Sequence, residues 1–164
     1  MAFESFTDDK IMDLLNCPKR LTNPQARIKE ISGHEQLNYK VEAEDGSGNI
    51  FQVYKRQNKR QGMEDDFSCG ISWVSPNGET ITLKRYNGSS HSHPNHLEGT
   101  KLGYETHIHF ATEKYIKANR KPDGFAEASD KYNTLDGAFH CLIKDCKISD
   151  IETKPDDTTQ QKLF

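Results

Sequence analysis

Apolar residues in this chain alternate with polar ones through most of its length and take helical spacing chiefly near the two ends. Ile11, Leu14 and Leu15 form the first helical stripe. Thr7 is placed to cap that helix, Asp8 and Asp9 suit its positive first turn, Phe6 can pack back on Ile11, and Pro18 follows the stop. Strand-like alternation then covers 26–32, 37–44 and 50–57, the last two joined by the turn-forming Asp45-Gly-Ser-Gly-Asn49. A second hairpin is predicted from Phe67–Val74 and Glu79–Tyr86 around Pro76-Asn77-Gly78, because Asn-Gly readily adopts the positive φ angles of tight turns.

Residues 58–66 are polar and 87–103 are rich in Gly, Ser, Pro and Asn, so both read as loops. Residues 104–111 read as a further strand running into a short helix capped by Thr112. The clearest helix carries Leu135, Ala138, Phe139, Leu142, Ile143 and Cys146 on one stripe and is capped by Thr134. Together these elements predict an α+β fold: an antiparallel, meander-like sheet of about five or six strands, with a short N-terminal helix and a C-terminal amphipathic helix packed on it. Residues 1–152 are expected to form a single α+β domain, and 153–164 a polar, flexible tail.

Composition narrows the picture. With 164 residues and 33% hydrophobic content the chain can bury one modest core. The formal charge of −3 excludes a uniformly basic, polyanion-coating molecule. The charge is uneven, however: residues 19–60 hold nine Lys/Arg against five Asp/Glu, including Lys55, Arg56, Lys59 and Arg60. That run reads either as a solvated hairpin or as a ridge for a nucleic-acid backbone. No apolar run approaches the ~20 residues that span a bilayer, and the N-terminus lacks the features of a signal peptide. Cys17, Cys69, Cys141 and Cys146 show no C-x-x-C spacing and read as reduced thiols, so a cytoplasmic location is expected.

The strongest chemical signal is histidine. Five of seven lie within residues 91–109, as the pairs His91/His93 and His107/His109 with His96 between. On the 104–111 strand, His107 and His109 share a face with Glu105 and Ala111, opposite Ile108 and Phe110, and that face is expected to be the wetter one. Arg85 and Tyr86 end the preceding strand. Arg85 has the parity of Ile81 and Leu83, so it reaches the histidines only if the strand bends. His34, beside Gly33 in a turn, and His140, off the helix stripe, read as ordinary surface residues.

Three chemistries fit this set. Metal-free cleavage of RNA through its own 2′-hydroxyl needs a base, an acid and a cation, which two histidines and Arg85 provide, with Tyr86 or Tyr115 to stack a base. His91, His93, His107 and His109 would alternatively hold Zn²⁺ or another divalent transition metal, joined by Glu98, Glu105 or Glu113. In the third case the rings bond one another and the backbone and have no chemistry.

The segment Leu83-Lys-Arg-Tyr-Asn-Gly-Ser-Ser-His-Ser-His-Pro-Asn, followed by Thr106-His-Ile-His-Phe-Ala-Thr-Glu-Lys-Tyr115, resembles small bacterial and mobile-element proteins with an Arg–aromatic–Asp/Asn step, a His-rich loop and a later His-x-His strand. The group is similar to toxins of toxin–antitoxin modules of the TumE type, over about residues 83–146. The resemblance implies a growth-inhibiting, RNase-like protein with Arg85, Tyr86, His91, His93, His107 and His109 at the matching positions. The leading expectation is therefore a toxin-like or defence-related phosphodiesterase acting on RNA, needing no cofactor and paired with a cognate antitoxin. In it His107 and His109, together with His91 or His93, act as acid and base, Arg85 stabilises the phosphorane, and the basic run at 55–60 holds the backbone. The rival is a non-enzymatic phage or mobile-element inhibitor or regulator that binds a host protein, docking through its acidic N-terminal segment.

Overall fold

The computed structural model describes residue 3 and residues 5–156. The order of elements is α1 (Asp8–Asn16), β1 (Lys19–Leu21), β2 (Lys29–Ile31), β3 (His34–Ala43), β4 (Ile50–Asn58), β5 (Phe67–Val74), β6 (Thr80–Asn87), β7 (His93–Asn95), β8 (Thr100–Leu102), β9 (His107–Phe110), α2 (Glu113–Lys117), β10 (Phe125–Ala128), α3 (Leu135–Asp145) and β11 (Ile148–Ser149). All three helices begin as their sequences direct. Thr7, Thr112 and Thr134 each accept a hydrogen bond from the backbone N–H three residues on, satisfying a donor that the first turn leaves open.

The fold is α+β with a mostly antiparallel sheet, but the sheet is larger than the alternation pattern foretold. Nine strands join in the order β10-β9-β6-β5-β4-β3-β1-β11, with β2 also pairing β3, and β7 and β8 make a separate two-stranded hairpin. The extra strands are two to four residues long, too short for a period-two pattern to register. β11 returns parallel to β1 after the last helix, which no local signal announces. Of the tail expected at 153–164, residues 157–164 lie outside the described residues. Within the described part, the Asp156 carboxylate takes the Asn133 backbone N–H and the Thr134 hydroxyl, tying this segment to the start of α3.

One face of the sheet carries the core. Phe51, Val53, Cys69, Ile71, Tyr86 and Ile108 are buried there with Ala138, Phe139 and Leu142 of α3. Lys19 is fully buried beside them, its ammonium donating to the carbonyls of Leu15, Cys17 and Cys146 at 2.8–2.9 Å. One cation thereby satisfies free carbonyls at the C-terminal ends of both α1 and α3, where the helix dipole is negative.

The opposite face carries the histidines. β6 reaches it by a β-bulge. Ile71 faces Lys84 while Ser72 faces Thr82, leaving Leu83 as an extra residue on β6. The bulge switches parity, so that Ile81 aligns with Trp73 on the core face whereas Arg85 aligns with Gly70 and His109 on the other. This is the irregularity that Arg85 needed.

Candidate functional site

β6, β9 and β10 lie side by side, with Arg85 opposite His109 and Asn87 opposite His107. The period-two rule puts both imidazoles on one face, as the sequence implies, but that face is not wet. His107 and His109 are 2% and 3% exposed. The reason lies in the segment read as a loop: its β7–β8 hairpin folds over the sheet edge and lays His93 against the pair. The ring centroids are 4.5 Å apart for His93–His109, 5.0 Å for His107–His109 and 5.9 Å for His93–His107.

Each ring is oriented by a main-chain carbonyl. His107 Nδ1 lies 2.8 Å from Glu105 O, His109 Nδ1 3.0 Å from Asp123 O, and His93 Nε2 2.7 Å from Gly124 O. A carbonyl only accepts, so in each of the three rings the facing nitrogen carries a proton. Burial, then the Arg85 charge and the neighbouring imidazoles, push His109 down to about 2. Burial also lowers His107, with the His93 and Arg85 charges adding to it. Both rings are therefore neutral at physiological pH.

Arg85 stands at the edge of this cluster. Its Nε is 3.2 Å from Asp123 Oδ2, a carboxylate only 2% exposed on its side chain, yet the alignment leaves both atoms without a hydrogen bond. Beyond Arg85 a groove of about 380 Å³ runs along the sheet, lined by Tyr54, Arg56, Asp66, Ser68, Asn87 and His91 among others. Its floor is polar and connected: Tyr54 and Ser68 hydroxyls are 2.6 Å apart, and Ser68 Oγ donates to Asn87 Oδ1. Gly70 makes room for it, because a Cβ there would stand 2.9 Å from both the Tyr54 ring and the Lys84 carbonyl.

The structure thus gathers His93, His107, His109 and Arg85, and separates the other candidates from them. His91 lies in the groove, 76% exposed, with Nε2 4.0 Å from Asp66 Oδ1. Tyr86 points to the core face, fully buried, with its hydroxyl on Asp145 of α3. Tyr115 is also buried and holds the turn of the β7–β8 hairpin through Glu98 and the Leu97 N–H. Glu98 and Glu113 pair with Lys114 and Lys117.

The basic run is divided by the strand period. Lys55 turns to the core face, over the Phe139 ring and beside Asp136, while Arg56 faces the groove. Lys59 pairs with Glu35, and Arg60 donates to the Ser32 carbonyl. Asp66, Asn95 and Asp123 shape the site without any local motif to mark them. Only strand register and the docking of the hairpin bring them there.

Among the described residues, no three His, Cys, Asp or Glu side chains are assembled as a group ready to hold a metal ion. No described helix is long and apolar enough to cross a membrane. Comparison with protein-family models, with curated proteins and with solved structures found no match.

Proposed function

We propose that this chain is a phosphodiesterase acting on RNA, toxin-like or defence-related as its resemblance to TumE-type toxins suggests, working in the cytoplasm beside a cognate antitoxin. One observation carries the reading. Arg85 stands between a buried histidine cluster and an open polar groove that also presents Arg56 and His91. A volume of about 380 Å³ is of the size that accepts a nucleotide. Two guanidiniums there would hold a phosphate and stabilise the charge that builds on it during in-line attack.

The roles follow from the burial. His91 is the exposed imidazole, able to take a proton from a 2′-hydroxyl. His107 and His109, which the sequence offers as acid and base, are held neutral with their Nδ1 protons committed to carbonyls, so they form a buried wall beside Arg85 and do not supply a proton. Incubation of the purified protein with end-labelled RNA tests this. We expect cleavage that leaves 2′,3′-cyclic phosphate ends, survives EDTA, and falls roughly 100-fold or more in Arg85→Ala. Intact RNA at high enzyme concentration sinks the reading.

The second reading, a metal held by the histidines, is favoured by the way His93, His107 and His109 each spend one N–H on a carbonyl, as metal-bound imidazoles do. His91 stands apart from that trio. Elemental analysis of the purified protein separates the readings. Stoichiometric zinc, with activity lost in EDTA and regained on adding it back, would replace the first by the second.

A further inference from the structure

Cleavage through a 2′-hydroxyl needs two proton-transfer groups, one for the attacking hydroxyl and one for the departing 5′-oxygen. His91 fills the first place. His107 and His109 are unsuited to the second, since burial and Arg85 keep them uncharged. We propose that His34 is the missing general acid, facing His91 across the Asp66 carboxylate. This inference rests on the phosphodiesterase reading and adds a residue to it.

The geometry comes from three separate elements. His34 opens β3 opposite Asn58, the last residue of β4. Asn58 fixes Asp66 twice, its N–H donating to Asp66 O and its Nδ2 to Oδ2, both at 2.9 Å. From the loop after β6, Ser90 Oγ donates to Asp66 Oδ1 at 3.3 Å. The carboxylate so fixed has one imidazole at each oxygen, His34 Nε2 at 3.5 Å from Oδ2 and His91 Nε2 at 4.0 Å from Oδ1. A recess of about 220 Å³ opens between them, lined by His34, Arg56, Asp66, Phe67, Ser68 and His91. Apart from His34, each of these also lines the Arg85 groove, so the two spaces are continuous.

The two rings differ in a way that assigns their roles. His34 is 17% exposed and both its nitrogens face acceptors, Nδ1 at 3.3 Å from Ser32 O and Nε2 toward Asp66. In its protonated form it can donate on both sides, and the loose Nε2 contact leaves that proton free to turn to a substrate oxygen. His91 is open to solvent and, among the described residues, has the Asp66 carboxylate as its one ionic partner. Burial pushes the Asp66 carboxyl up, but the Asn58 and His34 hydrogen bonds and the charges of both imidazoles outweigh it, and the group sits below its usual range. The other charges around the pair are Arg56 in the recess, Arg85 along the groove, Arg60 on the same Ser32 carbonyl, and Glu35 with Lys59 beside His34.

In the step itself, the 2′-oxygen bonds to phosphorus as its proton passes to His91. The bond from phosphorus to the 5′-oxygen breaks, and that oxygen leaves with the proton of His34. The products are a 2′,3′-cyclic phosphate and a 5′-hydroxyl, and solvent restores the two rings.

Leaving-group chemistry tests this. Uridylyl-adenosine requires protonation of its leaving oxygen, whereas uridine 3′-(4-nitrophenyl phosphate) releases a stable phenolate. His34→Gln and His34→Ala should slow the dinucleotide about 100-fold or more and the nitrophenyl ester only a few-fold, and should remove the high-pH limb of the kcat/KM profile. His91→Gln should slow both substrates. Equal loss on both substrates in the His34 variants, or no loss on either, overturns the assignment while leaving the phosphodiesterase reading in place. A wild-type protein inert on both substrates overturns that reading, and the role of His34 with it.

Discussion

The side chain of Asn95 takes both main-chain groups of Ala126: its Nδ2 donates to Ala126 O and its Oδ1 accepts from Ala126 N–H, each at 2.9 Å. Ala126 lies on β10, at the end of the sheet, where its outward N–H and C=O would otherwise be open for another strand. One amide thus closes the sheet edge and clamps the β7–β8 hairpin to it, two residues from His93. The clamp is buried, with Asn95 3% exposed, so both of its bonds matter.

Asn95→Ala should therefore cost about 1–3 kcal/mol, since it strands a buried N–H and a buried C=O together. For a domain of this size each kcal/mol lowers Tm by about 2–4 °C. Amide exchange at Ala126 should accelerate in the variant, and RNA cleavage should weaken as His93 loses its seat. Unchanged exchange at Ala126 would show that the clamp does not hold the edge.

The buried histidines make stability depend on pH in a fixed direction. His109 is lowered from an ordinary 6.5 to about 2, so below pH 6.5 the unfolded chain binds a proton that the folded protein refuses. Its contribution is complete above pH 6.5 and is lost progressively as pH falls toward 2. Between pH 7 and 5 this one ring should cost about 2 kcal/mol of unfolding free energy, with His107 adding in the same direction. Urea unfolding at the two pH values checks the sum, and NMR titration should show no protonation of the His109 ring down to pH 4. An inflection of that ring near pH 6 would contradict the burial argument.

Tyr86 separates the two faces experimentally. Its hydroxyl is buried on Asp145, and burial, with the charges and hydrogen bond around it, holds the phenol far above its usual range. Tyr86→Phe should lower stability by about 1 kcal/mol by removing one hydrogen bond from Asp145 Oδ2, which keeps Lys84 Nζ at 3.5 Å. Cleavage of RNA at a temperature well below Tm should stay within about two-fold, because the ring faces α3 and not the groove. A large fall in kcat at unchanged Tm would return Tyr86 to the site.

Lys19→Met keeps the length of the side chain and removes its three donors. The carbonyls of Leu15, Cys17 and Cys146 are then left without their partner at two helix ends, at an expected cost of about 2–4 kcal/mol. Burial lowers the Lys19 ammonium from its usual range, so part of that loss is offset by no longer burying a charge. Thermal unfolding decides between them: a higher Tm in the variant would mean that the desolvation of the ammonium outweighs its three hydrogen bonds.

By itself the sequence determined what depends on neighbours a few positions apart. Thr7, Thr112 and Thr134 cap helices because a hydroxyl reaches a backbone N–H three residues on. The hairpins at Asp45–Asn49 and Pro76–Gly78 follow from residues that turn easily, and period-two alternation places His107 and His109 on one face. Tertiary structure decided everything that depends on register or docking. The bulge at Leu83 exists only as a mismatch between β5 and β6, and it alone turns Arg85 toward the histidines. The β7–β8 hairpin is too short to show a period, and its burial of His107 and His109 rests on Asn95 finding Ala126 thirty-one residues away. His34, Asp66 and His91 meet only because β3, β4 and the loop after β6 end at one corner. Alternation tells a side chain which face it takes. What covers that face is set by long-range packing, and for these histidines the cover decides whether the rings can carry a proton.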